Sequence, residues 1–251
     1  MFSRLYQNTV LEKPKTILTI LIFCLLFFGY YTKDFKLDAS SDTLLIENDP
    51  DLKYLQSLTD RYGAKEFLIL TFAPNKSIIS DQSISSLKKL KVEIQNFDWV
   101  HSVITILDIP LLENSDKPLT EKLKNFTTLK DDNVDKKKGL NEILSSPVFK
   151  NFVISEDGST TGIIVNIKED KKLKKFIKEH NIYKEQILKK ERLLNYDEFI
   201  NKFENYKTLV KKRNHKNILE IRQLIQNYNE VGKIHLGGIP MIADDMMTFI
   251  K

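Results

Sequence analysis

The chain has 251 residues, 41% hydrophobic and 29% charged, with 39 Lys and Arg against 34 Asp and Glu, a net charge of +5 and a pI near 9.0. That balance carries enough apolar side chains for one large core or two small ones. It excludes a disordered tail, and it is too polar for a chain that crosses a membrane many times. The charge comes mostly from Lys, with Arg scarce, which describes a general basic surface and not a nucleic-acid site; the single Cys24 excludes an intrachain disulfide and the Cys-rich zinc patterns.

Between Lys15 and Lys33 lie 17 uncharged residues, TILTILIFCLLFFGYYT. As a helix they rise roughly 26 Å, enough to cross a hydrocarbon core. The run ends in Phe27, Phe28, Tyr30 and Tyr31, which suit a membrane interface and not a signal peptidase that needs small residues. Arg4, Lys13 and Lys15 flank its N-terminal side, so the positive-inside rule keeps residues 1–15 cytoplasmic, makes 16–32 the membrane helix, and puts everything after Lys33 outside the cytosol. Asp49-Pro50 then reads as a helix start, with Leu52, Leu55, Leu58 and Tyr62 at near-helical spacing and Gly63 as a left-handed stop.

The extracytoplasmic part, residues 33–240, begins its regular pattern at Phe67–Phe72, FLILTF, a short apolar run followed by Pro74-Asn75 that predicts a buried strand. Ser80 to Phe97 predicts a helix with Ile84, Leu87, Leu90, Ile94 and Phe97 on one face. A second strand is expected over Val100–Leu107. Asp157-Gly158 predicts a hairpin between strands Phe152–Ser155 and Thr160–Ile167. A helix near Asn217–Tyr228 and a last strand at Lys233–Gly238 follow. The order is read as β-α-β-β-α-β, one strand fewer than the five stretches named, so the fold class is α+β, a ferredoxin-like unit with helical inserts and all five stretches expected in one sheet. Two stretches exceed that unit. Ile109–Pro147 predicts short helices near Leu119–Leu123 and Leu140–Leu144. About 170–216 predicts a Lys-rich helical insert, because a structureless loop that long is foreign to a compact domain. Its lysines read most simply as a solvated face, with a membrane surface or a docking partner as the alternative.

The motifs of catalysis are absent: no H-E-x-x-H, no P-loop, no G-x-S-x-G, no G-x-G-x-x-G. Ser85-Ser86-Leu87-Lys88 matches S-x-x-K without its companion motifs, beside Lys89 and Lys91 on a polar face. Asp38, Asp42, Glu47, Asp49 and Asp51 lack the Gly and closing Glu of a calcium loop. His101 and His235 sit on expected strands without a second ligand at metal spacing and read as partly buried structural residues. The sequence therefore implies no enzyme, no metal and no cofactor.

The run IHLGGIPMIADDMMTFIK, Ile234 to Lys251, is the most informative. Gly237 and Gly238 permit backbone angles that a side chain forbids, and Pro240 ends the strand and starts a helix. Asp244 and Asp245 are expected in that helix's first turn, as complements to its dipole. Met241, Ile242, Met246, Met247, Phe249 and Ile250 make it oily, as if 241–251 began a helix heading for a second membrane span.

Four stretches together are similar to the resistance–nodulation–division (RND) exporters, in the branch of the MMPL-type predicted exporters. They are FKLDASSDTLLIENDPDLKYLQSLTDRYG with the FLILTFAP that follows, SVITILDIPLL, SSPVFKNFVISEDGSTTGIIVNIK and IHLGGIPMIADDM. The resemblance implies the first membrane helix and first periplasmic porter-type domain of an inner-membrane, proton-driven exporter. Such proteins move hydrophobic or amphiphilic compounds, lipids included, by alternating access. Its partners would be the bilayer, the substrate and the remaining membrane helices, and an oligomer or periplasmic partner is compatible with it. Gly237, Gly238, Pro240, Asp244 and Asp245 would form the corner into the second span. The family's proton-relay carboxylates lie in later helices, so none carries over. The rival classes are a self-sufficient anchored binding or scaffold module and an anchored hydrolase, which would need a nucleophile–base pair.

Overall fold

A computed structural model describes residues 14–32, 50–51, 54, 58, 66–112, 126–189 and 195–249. The expected helices after Asp49-Pro50 and at Leu119–Leu123 fall outside them, wholly or nearly so, as do Asp38, Asp42, Glu47, Asp49, Ile250 and Lys251.

Two units divide the chain, Met1–Thr43 and Leu44–Lys251. The first contains helix α1, Pro14–Tyr31, long and apolar enough to cross a membrane. Pro14 stands at its first position, where the missing N–H costs nothing. None of its residues is buried, and Phe23 is 70% exposed. A core helix of a soluble protein hides its apolar side, and among the described residues this one hides none of its own. Its length and position serve a membrane anchor or a signal sequence alike.

The second unit is built on a four-stranded antiparallel sheet: β1 Phe67–Pro74, β2 Val100–Ile104, β3 Thr161–Ile167 and β4 Gly232–Gly237, in the spatial order β2-β3-β1-β4. Six helices in all are described; besides α1 they are α2 Asp81–Gln95, α3 Lys136–Ser145, α4 Lys171–Leu188, α5 Tyr196–Gln226 and α6 Ile239–Phe249. Alternation along the strands decides the layers. Leu68, Leu70 and Phe72 of β1 and Ile163 and Val165 of β3 are at most 1% exposed. They share one core with Ile84, Leu87, Leu90 and Ile94 of α2 and Ile218 and Ile221 of α5, so these helices cover one face. Ser80 caps α2, its hydroxyl accepting from the Ser83 N–H at 3.2 Å. Two polar ties brace the layers: Trp99 Nε1 donates to Glu220 at 3.0 Å and the Tyr228 hydroxyl to Glu93 at 2.7 Å.

The register fixes which ends of the strands lie together. Phe67 pairs with Asn166, Ile69 with Gly237 and Val100 with Ile167. β1 and β2 therefore begin, and β3 and β4 end, at the same end of the sheet. The chain enters β1 there, and α4 and α6 leave there.

Three expectations need correction. The strand expected over Val100–Leu107 stops at Ile104, because Thr105-Ile106-Leu107-Asp108 closes a capping box around a 3-10 turn. Asp108 accepts from the Thr105 N–H at 2.8 Å and the Thr105 hydroxyl accepts from the Leu107 N–H at 3.2 Å. The Asp157-Gly158 turn forms, with Gly158 at φ +70, but its first arm does not. Ser146 and Phe149 carbonyls gather the N–H groups of Lys150, Phe152 and Val153 into turns, and Asn151 turns left-handed at φ +65. Of Phe152–Ser155 there remain a bridge from Ile154 to Thr161 and two backbone bonds, from the Ser155 N–H to the Thr160 carbonyl and from the Gly162 N–H to the Val153 carbonyl, leaving four strands where five are expected. Finally, the helix expected near Asn217–Tyr228 is the last third of the 31-residue α5. Its earlier turns pair with α4 through Phe176, Tyr183, Phe199, Phe203 and Tyr206, so the insert is a helical hairpin.

Candidate functional site

β4 ends against the start of β1, and the chain there must turn within one residue to become α6. Gly238 makes that turn at φ +118, a conformation that L side chains rarely adopt. Its carbonyl accepts from the N–H groups of Met241 and Ile242, both at 3.1 Å, and so starts the helix. Pro240 falls inside the first turn, where its missing N–H orphans nothing. Gly237, by contrast, is the last residue of β4 with no positive φ, so the conformational requirement expected of both glycines rests on Gly238.

The acidic pair is placed otherwise than the sequence suggests. No acid lies in the first turn of α6; Asp244 and Asp245 are its sixth and seventh residues and grip α5. The His215 Nδ1–H donates to both Asp244 oxygens at 2.9 and 3.0 Å, and Arg222 Nη2 donates to both Asp245 oxygens at 2.8 Å. The Asp244 side chain is only 11% exposed. With those carboxylates turned inward, Ile239, Ile242, Met246 and Phe249 form an exposed stripe at the i, i+3, i+7, i+10 spacing of one helix side. α6 is an amphipathic helix worn inside out. His215 and Arg222 escape sequence reading: they are 29 and 23 residues from their partners, and only their i, i+7 spacing on α5 hints that they share a side.

A second polar cluster fixes the root of the helical hairpin at the same sheet end. Asp170 caps α4, accepting from the Lys172 and Leu173 N–H groups, from the Tyr206 hydroxyl at 3.0 Å and from Arg213 at 2.7 Å. Burial works to raise the Asp170 pKa, but the Leu173 N–H, Arg213 and Tyr206 outweigh it and hold it below the usual range. Beside it, burial pushes the Glu66 pKa up; Arg213 opposes the rise and Asp170 adds to it.

The uncovered face of the sheet carries an apolar row beside polar residues such as Thr71, Asn166 and His235. Ile104 pairs with Ile164 and Ile164 with Ile69, a row across three strands, with Phe67 beside it. Phe67, Ile69 and Ile104 are exposed. At the β2 edge the row runs into an open cleft of about 170 Å³, walled by Phe149, Phe152, Val153 and Pro110.

The remaining candidates are not gathered into a centre. His101 and His235 are exposed, not partly buried, since each lies on an edge strand and points away from the helix layer. Lys88 of the S-x-x-K match donates to the Lys130 carbonyl at 3.3 Å. No group of three His, Cys, Asp or Glu side chains among the described residues could hold a metal ion. Neither a protein-family model nor any curated protein matches the chain.

Proposed function

We propose that the chain supplies the first membrane helix and the first extracytoplasmic domain of an RND-superfamily exporter of the MMPL branch, serving the passage of hydrophobic or amphiphilic compounds. In this reading α1 anchors the chain in the inner membrane with its N-terminus in the cytoplasm. The second unit is a ferredoxin-like porter-type domain in the periplasm, and other membrane helices carry the proton coupling. Support for the domain assignment comes from the α+β architecture: β1 lies between β3 and β4, β2 lies outside β3, and α2 and the end of α5 cover one face of the antiparallel sheet.

The observation that carries the proposal is the polarity of α6. A helix at the edge of a soluble domain turns its apolar side inward. Here two carboxylates are fixed inward and Ile239, Ile242, Met246 and Phe249 face out, which suits a helix on its way into hydrocarbon. Reading the coding sequence beyond Lys251 tests this. An apolar run of about 20 residues after α6 supports an exporter, and a stop codon there overturns it.

The apolar row Ile104–Ile164–Ile69 favours a second reading, a self-sufficient anchored module that binds an apolar ligand or partner on its open sheet face. Alkaline phosphatase fused after Lys251 separates both from a cytosolic protein: activity is expected in a bacterial host, and an active cytosolic reporter at that position overturns the topology of either reading.

A further inference from the structure

The charge of the chain is concentrated in one place. Residues 170–216 carry 15 Lys and Arg against seven Asp and Glu, a net +8, while the whole chain is only +5, so the remainder is −3. Within this hairpin the inner side of α4 is occupied: Phe176, His180 and Tyr183 pack against aromatic side chains of α5. The opposite side is not. Lys171, Lys175, Lys178 and Ile182 recur at intervals of four, three and four residues along it, all exposed. Lys174 pairs with Glu169 and Lys175 meets Glu179 only at 3.8 Å, while Lys171 and Lys178 form no ion pair among the described residues.

This arrangement works against the helix that bears it. Four of the first five residues of α4 are Lys, and its first turn contains no acid. Cations at a helix N-terminus oppose the macrodipole and repel one another. Asp170 offsets part of that from the cap, but its carboxylate is already taken up by Tyr206 and Arg213. A stripe of exposed lysines that Glu169 and Glu179 offset only in part, with an exposed Ile among them, Ile182 at 56%, is the pattern of a helix that lies along an anionic lipid surface.

We propose that the outer face of α4 docks on the anionic headgroups of the bilayer in which α1 is anchored. The proposal rests on the anchor reading of α1. Position supports lipid over other polyanions. α4 leaves the sheet at the end where β1 begins and where α6 turns its apolar stripe outward. Docking there would set the height and tilt of the sheet above the membrane.

The test uses the full chain in nanodiscs of phosphatidylcholine alone and of phosphatidylcholine with phosphatidylglycerol, with a water-soluble amine acylating reagent and mass spectrometry of each lysine. Lys171, Lys175 and Lys178 should be acylated about fivefold or more slowly on the anionic discs, the factor one lysine near an anionic surface contributes. Lys89 on α2 serves as the unaffected reference. The difference should vanish at about 1 M salt, where the Debye length is about 3 Å, and the K171Q/K175Q/K178Q variant should lose whatever anionic-disc protection its remaining hairpin lysines show. Equal rates on the two discs, with the chain firmly retained in both, would overturn docking and leave the anchor standing. A chain washed out of neutral discs by alkaline carbonate would overturn the anchor and docking with it. Protection by soluble polyglutamate but not by anionic discs would overturn lipid in favour of an acidic protein.

Discussion

Substituting Ala for Gly238 isolates what the corner demands of the backbone. At φ +118 a Cβ is strained whatever the space around it, and here the space is also filled: it would lie 3.0 Å from the Phe67 carbonyl oxygen and 3.1 Å from the Leu68 Cα. Both are main-chain atoms of β1, which is held between β3 and β4, so neither can retreat without bending the sheet. A residue forced into such a region costs roughly 1–3 kcal/mol, and the backbone contact brings the expected loss to about 2–4 kcal/mol. Gly237→Ala is the control, since its Cβ would meet nothing closer than 3.7 Å; a change within about 0.5 kcal/mol is expected. Thermal unfolding of the full chain in mild detergent, followed by near-ultraviolet circular dichroism, should place Gly238→Ala about 5–15 °C below wild type. If the two variants melt together, the corner does not depend on the left-handed residue and the reasoning fails.

Two shorter predictions concern the capping box and the anchor. Burial works to raise the Asp108 pKa, yet the Lys130 and Lys91 ammonium groups and the Thr105 N–H and hydroxyl lower it to about 2 from an ordinary 3.8. The folded state thus holds its proton less tightly than the unfolded one, so this contribution is complete above about pH 4 and is lost as pH falls through about 2. Asp108→Asn should cost about 1–3 kcal/mol at neutral pH and almost nothing in acid by urea titration; an equal cost at both ends of that range would show that the charge is irrelevant. Ile22→Lys puts an ammonium near the centre of α1 at about 2.5–3.5 kcal/mol. It should move the chain from the alkaline-carbonate pellet to the supernatant, and retention in the pellet would show that α1 is not what holds it.

How much of this was legible in the sequence depended on how far apart the cooperating residues lie. β1, β3, β4 and α2 were readable because alternation and helical spacing act within one element, and the helix layer then buries what the pattern marks. Asp157-Gly158 marked a turn correctly, but pairing beyond it required Phe152–Ser155 to stay extended against local turns set by Ser146 and Asn151. The β-branched run after Val100 looked like a longer strand until the Thr105–Asp108 box competed with it. α5 read as two pieces because Arg213, Asn214 and Asn217 interrupt its apolar side, at the point where its partner changes from α4 to the sheet. The His215–Asp244 and Arg222–Asp245 grips were not legible at all. Nothing local to either helix says that they meet.

That last pairing changes the role of the acidic residues, and the change can be measured. Complementing a dipole would have made both carboxylates weak contributors of about 0.3–1 kcal/mol each. In the structure they are unequal. Asp245 and Arg222 are 30% and 39% exposed, whereas the Asp244 side chain is 11% exposed on the His215 ring. An ion pair open to water is worth about 0.2–1 kcal/mol, and a hydrogen bond to a mostly buried charge about 1–3 kcal/mol. Asp244→Asn should therefore loosen α6 more than Asp245→Asn. Amide hydrogen exchange over Met241–Thr248 should accelerate about five- to a hundredfold in the first and less than about fivefold in the second, with the β1 amides unchanged in both. Because the outward side of α6 is apolar, little besides Met241 packing on the core and the two grips holds the helix to α5. If Asp244→Asn leaves its exchange untouched, the corner at Gly238 alone aims the helix and the carboxylates are incidental to it.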